Sequence, residues 1–346
     1  MRFLLIFIFF LQFLIVPAQC AEITPPVVPQ EGELYMPPET ESFSDGLIYI
    51  LKTAVDDLAP QFKEASSTCL SLIAVALVVA LLRDFSKEAQ KPVILAAVVG
   101  ISVLLLKASN SLINLALETV VTLSDYGKLL LPVMATALAA QGGTSSSAAL
   151  YTGTAVFSTI LSSLLSKLIV PMIYVFICLS IGWASIGEEA LKSIRDFVKW
   201  LATWSMKIVL YIFSGYMGVT KIITGSVDAS AIRAAKLTIS GMIPVVGKII
   251  SDSSETILVS AGMVKNGVGI YGLLAILSVL VGPFLKIGIQ YLLFKITAAC
   301  CDLFGIKPVS GLISDFSKAL AIALGMIGIL GMLLMISTVC FMKGVL

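Results

Sequence analysis

Histidine is missing from all 346 residues of the chain, and with it go the commonest metal ligand and the commonest general base. Charge is scarce as well: 13% of residues are charged, against about a quarter in ordinary soluble domains. The basic residues are scattered and the formal net charge is only +2, which leaves no surface dense enough for nucleic-acid binding by counterion release. Six cysteines, Cys20, Cys69, Cys178, Cys300, Cys301 and Cys340, include no CxxC spacing. All but Cys20 sit in or beside apolar stretches, where a thiol behaves as a small hydrophobe. Asp and Glu are absent from 126–187, 197–227, 256–301 and 316–346, so the segments expected to cross a membrane hold no carboxylate for proton or sodium coupling.

A phosphate loop is lacking too. Gly241 to Lys248 reads GMIPVVGK, with five residues instead of four between its glycines and Ile249 after the lysine. Ser240 as a cap and Pro244 near a helix start or kink explain that stretch better. Asp252 with Glu255 three residues on resembles a capping box. No cofactor or metal site, and no catalytic residue, emerges from these letters.

What the chain does have is apolar length. Hydrophobic residues make up 58% of it and the mean hydropathy is +1.03, a composition that needs lipid as its solvent. The expected fold is all-α, a polytopic helical membrane protein with seven or eight spans after a cleaved signal peptide. Arg2 followed by the apolar run Phe3 to Val16, with Ala18 and Cys20 small before Ala21, predicts the signal peptide over 1–20. Pro17 and Gln19 make a poor context for lipid attachment at Cys20. Residues 21–65 form an acidic, Pro-rich arm opposed only by Lys52 and Lys63; 22–42 is expected to be disordered and 43–64 a short amphipathic helix. Export and the scarcity of Lys and Arg put this arm outside the cytoplasm.

The membrane domain is read over 66–346. Spans are expected at 66–82 and 92–107, with Arg83, Lys87 and Lys91 between them on the cytoplasmic side. The stretch 108–127 reads as an interfacial helix, and 129–140 is too short to span comfortably. After Gly142-Gly143, 148–186 is long enough for two spans meeting near Lys167 and Pro171. An amphipathic segment from Glu188 to Lys199, a span at 200–223, a mixed polar element over 225–266, and apolar runs at 267–285, 286–300 and 318–342 complete the series.

Three intramembrane features stand out. Ser147, Thr154, Ser158, Ser162 and Ser166 recur at intervals of seven and four, so they share one helix face; that face either packs against another helix or lines a polar pathway. Gly325, Gly328 and Gly331, and the pair Ala96 and Gly100, suit close helix contacts. Lys167, Lys207, Lys286 and Lys295 fall in or near apolar runs, where long stems snorkel to the interface or point toward a pore or partner.

Residues 228–272, DASAIRAAKLTISGMIPVVGKIISDSSETILVSAGMVKNGVGIYG, resemble the stage III sporulation protein AE family. The element is carried by Gly241, Pro244, Gly247, Asp252, Asn266 and Gly267. The resemblance implies a non-enzymatic subunit of a channel between mother cell and forespore. It implies placement in the mother-cell membrane surrounding the forespore. Implied partners are a secretion-type ATPase, ring-forming proteins and the other stage III subunits. The alternative reading from the residues is a self-sufficient small-molecule permease.

Overall fold

The computed structural model describes residues 24–38, 42–85, 90–242 and 246–343; for Glu64, 83–85, 221–242 and 246–265 it describes the backbone alone. The signal peptide expected over 1–20 lies outside the described residues. Among those residues every regular element is helical: α1 (Gln30–Glu33), α2 (Phe43–Phe85), α3 (Gln90–Ala140), α4 (Thr144–Leu164), α5 (Val170–Ile186), α6 (Glu189–Met242), α7 (Val246–Leu303) and α8 (Lys307–Met342). Among the described residues five stretches are long and apolar enough to cross a membrane: Phe43–Leu82, Gln90–Ala140, Thr144–Ile186, Asn266–Leu303 and Lys307–Met342.

That number differs from the expected seven or eight, and the reason is local. Apolar runs expected to be separate spans are joined into single helices. Lys167 and Pro171 do not end a helix; α4 passes into α5 through one wide turn at Leu165–Ile169. There the Val170 N–H donates to the Leu165 carbonyl five residues back. A proline crowds the carbonyl four residues before it and offers no N–H, and the wider turn takes up the misfit. Pro283 likewise lies inside α7, joining 267–285 to 286–300. The expected interfacial helix 108–127 and the short run 129–140 are both parts of the 51-residue α3. The 43–64 segment is the first half of α2, not a separate helix, and Ser42 opens it by accepting the Ser44 N–H at 3.3 Å on its hydroxyl. The stretch from 200 belongs to α6 and is not among the five.

The helices pass up and down between two ends. α2 runs parallel to α7, since Gly46 meets Leu274 and Cys69 meets Gln290. α3 runs antiparallel to α7 and parallel to α8, with Gly272 against Leu130 and Gly127 against Leu334. α4 and α5 return along α8: Thr154 faces Ser337 and Trp183 faces Gly311. α6 comes back beside them, from Trp183 over Arg195 at one end to Tyr216 donating to the Ala149 carbonyl at the other. It therefore covers the same height as its apolar neighbours.

A first end gathers Phe43, the Gly142-Gly143 turn and Met342; a second gathers Phe85, Gln90 and the turns at Gly187 and Gly305. Gly187 and Gly305 hold φ of 82° and 73°, a left-handed region open to glycine, which lets each helix reverse within a few residues. The α7–α8 hairpin lies at the centre, and its Phe294, Phe316, Leu320, Met326, Leu330 and Phe341 are buried.

The arm departs from its expected disorder over 24–38. α1 seats Gly32 against Ser278 and Val279 of α7, and Val28 and Tyr35 are buried. The Pro and Glu bias that suggested a solvated chain left those two apolar anchors out of account.

Candidate functional site

The hydroxyl face of α4 lands on its neighbours. Ser147 donates to the Ala135 carbonyl of α3 at 2.6 Å, and Thr154 and Ser337 of α8 share a hydrogen bond of 2.5 Å in a fully buried position. Ser158 is buried, whereas Ser162 and Ser166 are half-buried, and the Ser166 hydroxyl donates back to the Ser162 carbonyl at 2.8 Å. Of the glycines, Gly331 abuts Leu280 and Gly325 approaches Met206, while Gly328 and Gly100 face open space. In the family element, Pro244 lies outside the described residues. Gly241, Gly247 and Asp252 belong to the helical backbone of α6 and α7, and their side chains lie outside the described residues as well. Asn266 and Gly267 are exposed on α7.

Two polar features went unseen in the sequence. The first is a cleft between α2, α3 and α7, with a volume of about 410 Å³. Ser67, Thr68 and Ser71 of α2 face Lys107 and Ser111 of α3 across it, and Lys286 and Gln290 of α7 close the third side. A smaller chamber of about 220 Å³ shares Gln61 and Lys286 with it and adds Glu31, Glu118 and Thr119. The arm borders this chamber: Tyr35 donates to Asp57 at 2.5 Å, and Gln61 donates to the same carboxylate oxygen at 2.5 Å. Burial first, and then the Asp57 carboxylate beside it, hold the Tyr35 hydroxyl well above its ordinary range, so it stays a donor. The i, i+3 and i+4 spacing of Ser67, Thr68, Ser71, Lys107 and Ser111 was there to be read, but only the face of α4 was assembled.

The second is a buried charge network at the second end. Arg195 of α6 donates to Asp315 of α8 at 2.5 Å, and both side chains are almost wholly buried. Lys318 holds the other Asp315 oxygen at 2.7 Å. Arg195 also donates to Asp196 at 2.8 and 3.0 Å, and its guanidinium lies 4.6 Å from the Trp183 ring centre. The helices that contain the apolar runs reach beyond them and carry carboxylates outside those runs. The run taken as 318–342 is part of a helix that starts at Lys307, and Asp315 is inside it. Glu118 and Asp125 likewise lie within α3. Asp315 is held by two cations, so it is fixed in place as an ion-pair partner.

The chemistry on offer is hydrogen bonding and charge pairing. Among the described residues no group of three or more Cys, Asp or Glu side chains is placed to hold a metal.

Residues 39–344 match the family model described as stage III sporulation protein AE. A curated relative, stage III sporulation protein AE of Bacillus subtilis (strain 168), is 24% identical over 238 residues; the match covers 68% of this chain and about 60% of the relative's length. No solved structure is significantly similar.

Proposed function

Because the chain belongs to the stage III sporulation protein AE family, whose match runs over residues 39–344, we propose that it acts as a non-enzymatic membrane subunit of the channel linking mother cell and forespore. Its role is in sporulation; the channel, its partners and the mother-cell membrane are the finer reading. The observation that carries it is the breadth of the family match together with five helices apolar and long enough to cross a membrane. The fixed state of Asp315 supports it, since a carboxylate gripped by Arg195 and Lys318 is a poor relay for a gradient-driven carrier. Such a subunit draws energy from a partner, for which a secretion-type ATPase and ring-forming proteins are the proposed candidates.

Lys91, Lys192, Arg195, Lys199 and Lys307 lie toward the second end of the bundle beside Glu188, Glu189, Asp196 and Asp302, while Glu31, Glu33, Asp45, Asp56 and Asp57 lie toward the first with Lys52, Lys63, Lys128 and Lys343. Signal-directed export and an arm in which only Lys52 and Lys63 oppose the acids assign the arm to the space between the membranes, which leaves the second end on the cytoplasmic side. With the protein produced in vegetative cells, where it lies in the plasma membrane, a single cysteine at Ser42, with the native cysteines replaced by alanine, should react with an impermeant thiol reagent added to intact cells. Labelling only after lysis reverses the orientation.

The function itself is tested by deleting the gene in its spore-forming host and by affinity purification of the tagged chain after engulfment. The expected result is arrested forespore development and recovery of other stage III proteins. Normal spores, or a lone protein that drives solute uptake in liposomes under a proton or sodium gradient, would replace the channel reading with the permease.

A further inference from the structure

Lysines that the sequence scatters over more than a hundred positions converge in one groove. Lys199 and Lys207 of α6, Lys295 of α7 and Lys318 of α8 all line a space of about 460 Å³ between these three helices. Thr203, Tyr291, Ser314 and Ser317 add hydroxyl groups to its wall. No carboxylate lines it among the described residues. Asp315, beside Ser314 on α8, is already taken by Arg195 and Lys318. Lys295 leans on Tyr291, its ammonium 3.4 Å from the hydroxyl and 5.7 Å from the ring centre. With Lys318 paired to Asp315, three further ammonium groups border one partly buried space, and an anion between them relieves their mutual repulsion.

The groove changes character along its length. α6 and α8 run in the same direction, with Arg195 level with Asp315 and Met206 level with Gly325. Lys199 and Lys318 therefore sit near the second end, and Met206, Ile322 and Ile329 continue the wall toward the middle of the bundle. From Lys318 to Ile329 the helix rises about 16 Å. The space opens sideways, since Lys207, Lys295 and Ala321 are exposed on the outside of the bundle. A cationic, hydroxyl-bearing mouth above an apolar trough on the perimeter matches an amphiphile with an anionic head.

We propose that this groove binds the phosphate headgroup of an anionic phospholipid, with Lys199, Lys295 and Lys318 around the phosphate and an acyl chain along Met206, Ile322 and Ile329. The proposal rests on the membrane placement given above, with the second end in the leaflet richer in anionic lipid. The lipid bridges α6 to the α7–α8 hairpin across the groove.

The full-length protein in neutral detergent is titrated with phosphatidylglycerol, with phosphatidylcholine of the same acyl chains, and with inorganic phosphate. Binding is read by native mass spectrometry and thermal unfolding. Phosphatidylglycerol should bind and raise the unfolding midpoint, and the other two should not. Lys199→Gln with Lys295→Gln should weaken its binding roughly fivefold per lysine removed, while Lys199→Arg with Lys295→Arg retains it. Lys128→Gln at the exposed Asp125 pair should change nothing. Where the double Gln variant does not fold, Lys295→Gln alone serves, with about a fivefold loss expected. Equal binding of phosphatidylcholine, undiminished binding by the Gln variants, or equal protection by phosphate alone would each overturn the proposal, the last in favour of a water-soluble anion. None of these readouts depends on the labelling of the arm, so a wrong orientation and a wrong ligand are told apart.

Discussion

The first and last of the long helices are similarly apolar and differently used. In α8 about 56% of the most apolar window is buried inside the protein, whereas in α2 the figure is 22%. Leu70, Val78 and Leu81 of α2 point outward, while Leu320, Met326 and Leu330 of α8 are enclosed. Hydropathy measures only the wish to leave water, and a protein core satisfies it as well as lipid does. The polar residues show the same contrast. Asp315, Ser317, Ser337 and Thr338 of α8 are all buried and each has a hydrogen-bond partner, as groups removed from water require. On α2 the Ser66 and Ser71 hydroxyls remain exposed and bond back to their own helix, at Lys63 and Ser67.

The comparison breaks most visibly at Asp315. Replacing it by alanine strands Arg195 in the interior and should cost about 3–5 kcal/mol, read by unfolding of the detergent-solubilised protein. Arg195→Met combined with Asp315→Leu should recover most of that loss, because both charges go together. A single-variant cost below about 1 kcal/mol would mean that water reaches the network and that α8 is no core helix there.

Next in size is Gly331→Leu, where the new side chain meets Leu280; overpacking of about 1–3 kcal/mol is expected. Gly328→Leu, with open space around it, should be nearly silent in the same assay. Equal effects would show that the α7–α8 contact is not the tight one.

A smaller effect is expected between Thr154 and Ser337. A double-mutant cycle with Thr154→Val and Ser337→Ala should give a coupling near 0.6 kcal/mol, the usual size for hydrogen bonds between membrane helices. A coupling of zero would detach the α4 face from α8. Smallest of all, Leu70→Ala on α2 should stay within about 0.5 kcal/mol in stability. If that variant keeps its stability and loses co-purifying stage III proteins, the exposed side of α2 is a partner surface; if both stay intact, it faces lipid.

Much of the architecture was legible. The all-helical class, the Gly142-Gly143 reversal and the shared face of Ser147, Thr154 and Ser158 follow from composition and helical spacing. Helix ends were not, because Lys167, Pro171 and Pro283 look like stops and are absorbed within continuous helices, one through a wide turn. The Arg195–Asp315 pair was hidden for a different reason. Its members stand 120 residues apart, and each was placed in a segment read as outside the spans. Lys207 and Lys295 were each noticed singly, and only the packing of α6 beside α7 shows them as neighbours. Val28 and Tyr35 are isolated apolar residues in a polar arm, a pattern too sparse to signal docking.

The length of α8 has a mechanical meaning. Its 36 residues rise about 54 Å, some 24 Å more than the hydrocarbon core of a bilayer. A helix of that length meets a bilayer by tilting or by extending past it, and its neighbours accompany it over that height, so whatever α8 does at the membrane the bundle does as a unit.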